Sequence, residues 1–200
     1  AYNAESTIRR TLNSVLNQTF KDFEVVAIDD GSTDGTSTIL KEYANKDSRV
    51  HVYTFKNAGV SVSRQRGINN SNGKFIIYVD SDDTIEPELL SNLDSAIKSY
   101  PTTDLIRYQS RIIADSSKKD HERYNYYEPS KSSISGIDAI RTWSIPGKKY
   151  AVYWLFAFSR TLFLKNSFPE DLRCYEDVAL IPILVGTASL VTTIDYVGYN

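Results

Sequence analysis

Phe75-Ile-Ile-Tyr-Val-Asp-Ser-Asp-Asp-Thr84 decides the fold. Residues 75–79 form an unbroken apolar and aromatic run. Such a run is long enough for a core strand and too short for a helix. It releases Asp80, Asp82 and Asp83 at its carboxyl end, where open α/β sheets place their ligand crevices. Carboxylates this close repel one another unless a cation neutralises them. An all-oxygen ligand set suits Mg²⁺ or Mn²⁺, and these metals in turn hold phosphates. The pattern therefore points to a metal–diphosphate site. The same residues also suit a helix start, because Ser81, Asp82 and Thr84 could each cap a helix around Pro87.

Upstream of this run, helical and strand patterns alternate. Ile8, Leu12, Val15 and Leu16 share one face of a helix expected over 6–18, with Asn3 or Ser6 as its cap. Strands are expected over 23–28 and 50–55, and helices over 37–46 and 61–70. The turn Asp29-Asp-Gly-Ser-Thr-Asp-Gly-Thr36 separates the first strand from its helix, and Asn72-Gly73 precedes the strand at 75–79. A helix over 86–99 and a strand over 104–113 follow. This alternation predicts a parallel, doubly wound sheet over residues 1–113. Residues 114–135 are polar and aperiodic, as in a long binding loop. Apolar segments return at 137–143, 153–164 and 179–185, so residues 114–200 are read as the second region of the same domain.

The composition excludes several functions. The 200 residues are 41% hydrophobic and 24% charged, as in an ordinary globular chain. A net charge of −2 gives no basic field for nucleic acid. The single cysteine, Cys174, excludes an internal disulfide framework, fits a reducing compartment and reads as a packing residue. No transmembrane or signal segment is expected. The absence of methionine, the initiator included, suggests a piece of a longer chain. His51 and His121 lack ligand spacing and receive no role.

Two acidic groups, Asp29/Asp30 and Asp80/Asp82/Asp83, follow two different strands. In a parallel sheet both sit on one edge and can face one ligand. Asp29 and Asp30 also suit simple turn chemistry around Gly31, with Asp34 as a helix cap.

Asn3-Ala-Glu, Leu16-Asn-Gln-Thr-Phe20, Phe23-Glu, Asp29-Asp-Gly-Ser-Thr-Asp34, Asn57-Ala-Gly59, Ser63-Arg-Gln-Arg-Gly67, Asn72-Gly-Lys-Phe75 and Asp80-Ser-Asp-Asp83 occur in this order. Each is weak alone; together they are specific. The chain resembles the family 2 glycosyltransferases of the GT-A fold, densely over its first half and loosely beyond. The resemblance implies an α/β, Rossmann-like, mostly parallel sheet flanked by helices. It implies inverting transfer from a nucleotide-sugar, a UDP-sugar above all, with Mn²⁺ or Mg²⁺ at a DxD motif. The acceptor would be a glycan or lipid-linked hydroxyl. The setting would be bacterial surface polysaccharide synthesis in the cytoplasm, at most peripheral to the inner face of the membrane.

The resemblance also implies roles. Tyr2 would stack on uracil and Asp30 would accept from its N–H, with Asp29 structural. Arg64 would reach the nucleotide or its diphosphate. Asp80 would lie near the ribose and the metal's water shell, and Asp82 would bind the metal. Asp83 would do no more than cap the next helix. Cys174-Tyr-Glu-Asp-Val-Ala179 resembles the family's Glu-Asp motif, which makes Asp177 the general base. Inverting displacement needs a base on the face opposite the leaving group, within hydrogen-bond reach of the acceptor hydroxyl. Read without the family, Glu176 and Asp177 are the acidic first turn of a helix over 178–184.

Three features depart from the pattern. The family's first central strand ends just before the Tyr-Asn pair, and this chain starts at Ala1-Tyr2-Asn3, so that strand is expected to be missing. No Gln-x-x-Arg-Trp motif of processive members occurs. Gln65 follows Arg64 where Asn is common. Trp143, Tyr150, Tyr153, Trp154 and Phe156 could form an acceptor platform, although core packing suits large aromatics better. The rival reading is a non-catalytic nucleotide-binding or interaction module of the same fold. A nucleotidylyltransferase lacks the Gly-rich loop it would need near the N-terminus.

Overall fold

A computed structural model describes residues 1–111, 133–143, 152–169, 172 and 175–200. The helices are α1 (Ile8–Leu16), α2 (Thr36–Lys46), α3 (Val60–Asn69), α4 (Leu89–Ser99), α5 (Gly136–Trp143) and α6 (Glu176–Thr187). The strands are β1 (Val25–Asp29), β2 (Val50–Thr54), β3 (Phe75–Ile77), β4 (Leu105–Ser110), β5 (Ser133–Ile134), β6 (Phe156–Ser159) and β7 (Val191–Tyr199). The α/β, GT-A-like class is the one the sequence implies.

β1 and β2 pair in parallel, with Val25 opposite Val50 and Asp29 opposite Thr54. The remaining strands form one sheet in the order β3-β6-β4-β7-β5. β4 and β7 are parallel, whereas β6 runs antiparallel between β3 and β4, and β5 antiparallel to β7. The pairing is therefore more mixed than a doubly wound alternation predicts. The reason is nonlocal: β6 enters from late in the chain and inserts between two earlier strands. Ala1 lies beside β1, donating to Ile28 O at 2.7 Å and accepting from Asp30 N at 2.9 Å.

Strand pleating divides the core, because alternate residues face opposite sides. Ile106 and Ala157 face α4 with Leu89, Leu93 and Ala96. Leu105, Phe156 and Phe158 face the other side, with Leu180, Ile181 and Leu184 of α6. α1 and α2 close a smaller core on β1 and β2 through Ile8, Leu12, Ile39 and Leu40.

Several boundaries shift. β3 stops at Ile77, whose pairing with Ala157 is its last to β6. Tyr78 then turns into a cluster of Tyr153, Phe158, Phe163 and Phe168 rings. α4 starts at Leu89, not at residue 86, because the preceding segment pairs with β7 through Glu86 N to Gly198 O and Ile85 opposite Tyr199. Neither Asn3 nor Ser6 caps α1; the Asn3 side chain instead accepts from Thr33 N at 2.8 Å. Most of the expected 114–135 loop, His121, Tyr150 and Cys174 lie outside the described residues.

Candidate active site

The site grows from the loop after β3. Asp80 keeps its carboxylate half-exposed and Asp82 is exposed. The backbone between them is fixed from both sides. From α1, Arg10 donates to Asp82 O, and Thr11 Oγ1 reaches Ser81 O and Asp83 O. From β7, the Tyr199 hydroxyl accepts from Asp80 N and donates to Asp83 Oδ2. Asp83 thus anchors the loop, and no side chain caps α4. Burial, offset in part by the Tyr199 hydrogen bond, raises the Asp83 pKa above the usual carboxylate value.

No group of three His, Cys, Asp or Glu side chains gathers into a cage among the described residues. An exposed Asp82 carboxylate on a fixed backbone, with Asp80 beside it, fits a small hard cation that draws its other ligands from phosphate and water.

The turn after β1 forms the next wall. Gly31 has φ +78°, and a Cβ there would stand 2.8 Å from Asn57 N, so both conformation and space require glycine. Asp29 is buried; one oxygen accepts from Ser32 N at 3.0 Å and the other has no protein partner. Asp30, 4% exposed, accepts from Ala58 N, Gly59 N and Arg66 Nη1. Arg66 in turn lies 4.3 Å from the Phe55 ring centroid. Asp30 therefore ties β1 to the start of α3, a structural task beyond the base contact that the resemblance implies. Tyr2, beside this turn, is 52% exposed, with its ring open to a flat ligand.

α3 carries the link to the second half of the chain. Ser61, Arg64, Gln65 and Ile68 share a face at helical spacing. Ser61 donates to Leu172 O at 2.9 Å, and Gln65 accepts from Phe168 N at 3.1 Å. The Gln65 departure thus has a local use: its longer side chain reaches the Phe168 backbone. Arg64 sits between two carboxylates, paired with Glu176 and lying 3.4 Å from Asp80 Oδ1. Its guanidinium lies 4.6 Å from the Tyr153 ring centroid, a cation–π contact.

Glu176 is an acid in the first turn of α6, as one sequence reading has it, but its side chain turns inward. It is 7% exposed, faces Arg64, and makes no side-chain cap. Tyr153 donates from its hydroxyl to Glu176 O at 2.9 Å. The helix entry is sharp, because Tyr175 has φ +62°, a left-handed conformation uncommon outside glycine, and its side chain is 74% exposed. Asp177 follows, partly buried, with Oδ1 accepting from Val178 N at 2.8 Å.

Arg64 and Asp80 are thus in contact, and the Arg64–Glu176 pair brings Asp177's helix to the same place. Tyr2 and Asp30 belong to the neighbouring wall formed by the β1 turn. Tyr199, the contact of Tyr153 with Arg64 and the inward role of Glu176 escape the sequence reading. Of the aromatic group, Tyr153 and Phe156 are buried and Trp154 stacks on Tyr199, as core packing predicts.

The family model described as Glycosyl transferase family 2 matches residues 1–163. Cholesterol galactosyltransferase of Borreliella burgdorferi is 30% identical over 100% of this chain and 57% of its own length. Glycosyltransferase GlyA of Streptococcus pneumoniae is 40% identical over 50% of this chain and 14% of its own length. The chain thus spans less than two thirds of either relative. The S. aureus TarS 1–349 crystal structure in complex with UDP-GlcNAc superposes with a TM-score of 0.79 at 24% identity, over 100% of this chain and 55% of TarS 1–349.

Proposed function

The chain belongs to glycosyl transferase family 2, and we propose that it serves a protein that moves a sugar from a UDP-sugar, with inversion, to a glycan or lipid-linked hydroxyl during bacterial surface polysaccharide synthesis. One observation carries this reading. Arg64 joins Asp80, at the end of the β3 segment, to Glu176, the neighbour of Asp177. This link supports reading the loop suited to a diphosphate and the helix bearing Asp177 as one site.

In this reading Tyr2 stacks on the uracil face, with Asp30 shaping the base pocket beside it. Arg64 supplies positive charge to the diphosphate, and Asp80 lies toward the ribose. Asp82 would hold Mn²⁺ or Mg²⁺, with Asp80 nearby. Such a cation, when bound, neutralises charge on the leaving diphosphate. Asp177 takes the proton from the acceptor hydroxyl. The acceptor oxygen bonds to the anomeric carbon from the opposite face as the bond to the β-phosphate oxygen breaks, and that electron pair leaves on UDP.

The uridine donor agrees with the UDP-GlcNAc bound by TarS, and a lipid acceptor with the name of the Borreliella relative. No helix among the described residues is long and apolar enough to cross a membrane. We place the protein in the cytoplasm, with any membrane contact peripheral, where nucleotide-sugars and lipid-linked acceptors meet. A screen of UDP- and GDP-sugars for Mn²⁺-dependent hydrolysis tests the donor class. Release of UDP from one sugar over the others is expected. UDP binding with no turnover of any sugar, even in the longer parent protein, would favour a binding module.

A further inference from the structure

The pairing of Arg64 points beyond its expected role. One guanidinium faces two carboxylates, Glu176 and Asp80. The Arg64 and Glu176 side chains are 15% and 9% exposed. Tyr153 holds both partners, with its ring against the Arg64 guanidinium and its hydroxyl on the Glu176 backbone carbonyl. Ser61 and Gln65 fasten the same face of α3 to the segment that leads into α6. α3 is therefore the mount on which the start of α6, with Asp177, is seated.

We propose that the Arg64–Glu176 pair is a donor-sensing latch, with Glu176 a positioning residue that holds the start of α6 at some cost in donor affinity. The inference rests on the donor-site reading of the β3 loop. An incoming diphosphate competes with Glu176 for the Arg64 guanidinium. Binding at the donor side thereby loosens the tether that fixes the first turn of α6. Donor occupancy and the placement of Asp177 are coupled through one shared cation, with no contact between donor and α6 required.

The direction of the effect separates this latch from a merely structural ion pair. Neutralising Glu176 leaves Arg64 facing one carboxylate instead of two, so an anionic ligand meets a more positive site. A structural lesion would weaken donor binding and transfer together. Loss of the latch strengthens donor binding instead.

Calorimetric titration of UDP in Mn²⁺ into the wild-type chain and Glu176→Gln tests this. The variant is expected to bind UDP about fivefold more tightly, the size of one screened unit charge at close range. Unchanged or weaker UDP binding by Glu176→Gln would overturn the latch while leaving the donor site standing. No UDP binding by the wild type would overturn the donor-site reading and the latch with it. If Glu176→Gln does not fold, Glu176→Asp, which withdraws the carboxylate by one methylene, carries the same comparison. In the unaltered chain, UDP with Mn²⁺ should speed hydrogen exchange in the first turn of α6; unchanged exchange there contradicts the latch.

Discussion

The Tyr199 hydroxyl donates a hydrogen bond to Asp83 Oδ2 at 2.9 Å, and the same oxygen accepts from the Asp80 backbone N–H at 3.0 Å. A residue at the end of β7 thus holds both ends of the acidic loop that follows β3. Burial of Tyr199 and its stacking on Trp154, with centroids 5.1 Å apart, fix the hydroxyl in place. Asp82, between the two anchored residues, stays free for a ligand.

Tyr199→Phe keeps the ring and removes the hydroxyl. It leaves a buried amide and a carboxylate oxygen short of a partner, at a cost of about 1–3 kcal/mol. Thermal unfolding should show a lower midpoint. Calorimetry should show weaker Mn²⁺–UDP binding, because the backbone that presents Asp82 is no longer held. Unchanged values in both would remove Tyr199 from the support of the loop.

Asp82→Asn removes one charge at an exposed position. Stability should stay near wild type, since exposed substitutions shift it by about 0.5 kcal/mol or less. The Mn²⁺-dependent part of UDP affinity should collapse, and the metal-free part should remain. Equal Mn²⁺ enhancement in the variant and the wild type would place the cation elsewhere.

Asp30→Ala should behave differently. It strips a buried acceptor from Ala58 N, Gly59 N and Arg66. Loss of a buried ion-pair partner costs about 3–5 kcal/mol, so the melting temperature should fall well below that of Asp82→Asn. UDP and UMP should weaken together with no dependence on metal. A loss confined to Mn²⁺-containing titrations would contradict the assignment of this wall to the base.

Much of the first 110 residues is legible in the sequence, because their apolar runs and helical faces are local signals. The β3 segment with its acidic loop and the turn at Gly31 can be read without knowing any tertiary partner. β7 cannot. Its Val191-Thr-Thr-Ile-Asp-Tyr-Val-Gly-Tyr199 is rich in β-branched residues, but Thr192, Thr193 and Asp195 blur the alternation, and only its place between β4 and β5 explains its burial. Gly198 carries no local signal either: a Cβ there would meet Leu89 Cδ1 at 2.4 Å, so α4 sets the requirement. Glu176 is the clearest case. In sequence it is an acid at a helix start; in the fold its direction is set by Arg64, 112 residues away. Periodicity cannot report a contact of that span.

The most direct test of the account is single-turnover donor consumption by Asp177→Asn in the longer parent protein, with saturating UDP-sugar and its acceptor. Among the described residues Asp177 accepts from its neighbour Val178 N, and in this account donor binding requires no contact from it. The donor dissociation constant should stay near wild type while the transfer rate falls by about 10²–10⁴, the usual loss on removing a general base. Near-normal transfer by Asp177→Asn would contradict the account: the base would lie elsewhere, and the Glu176–Asp177 pair would be no more than the entry to α6.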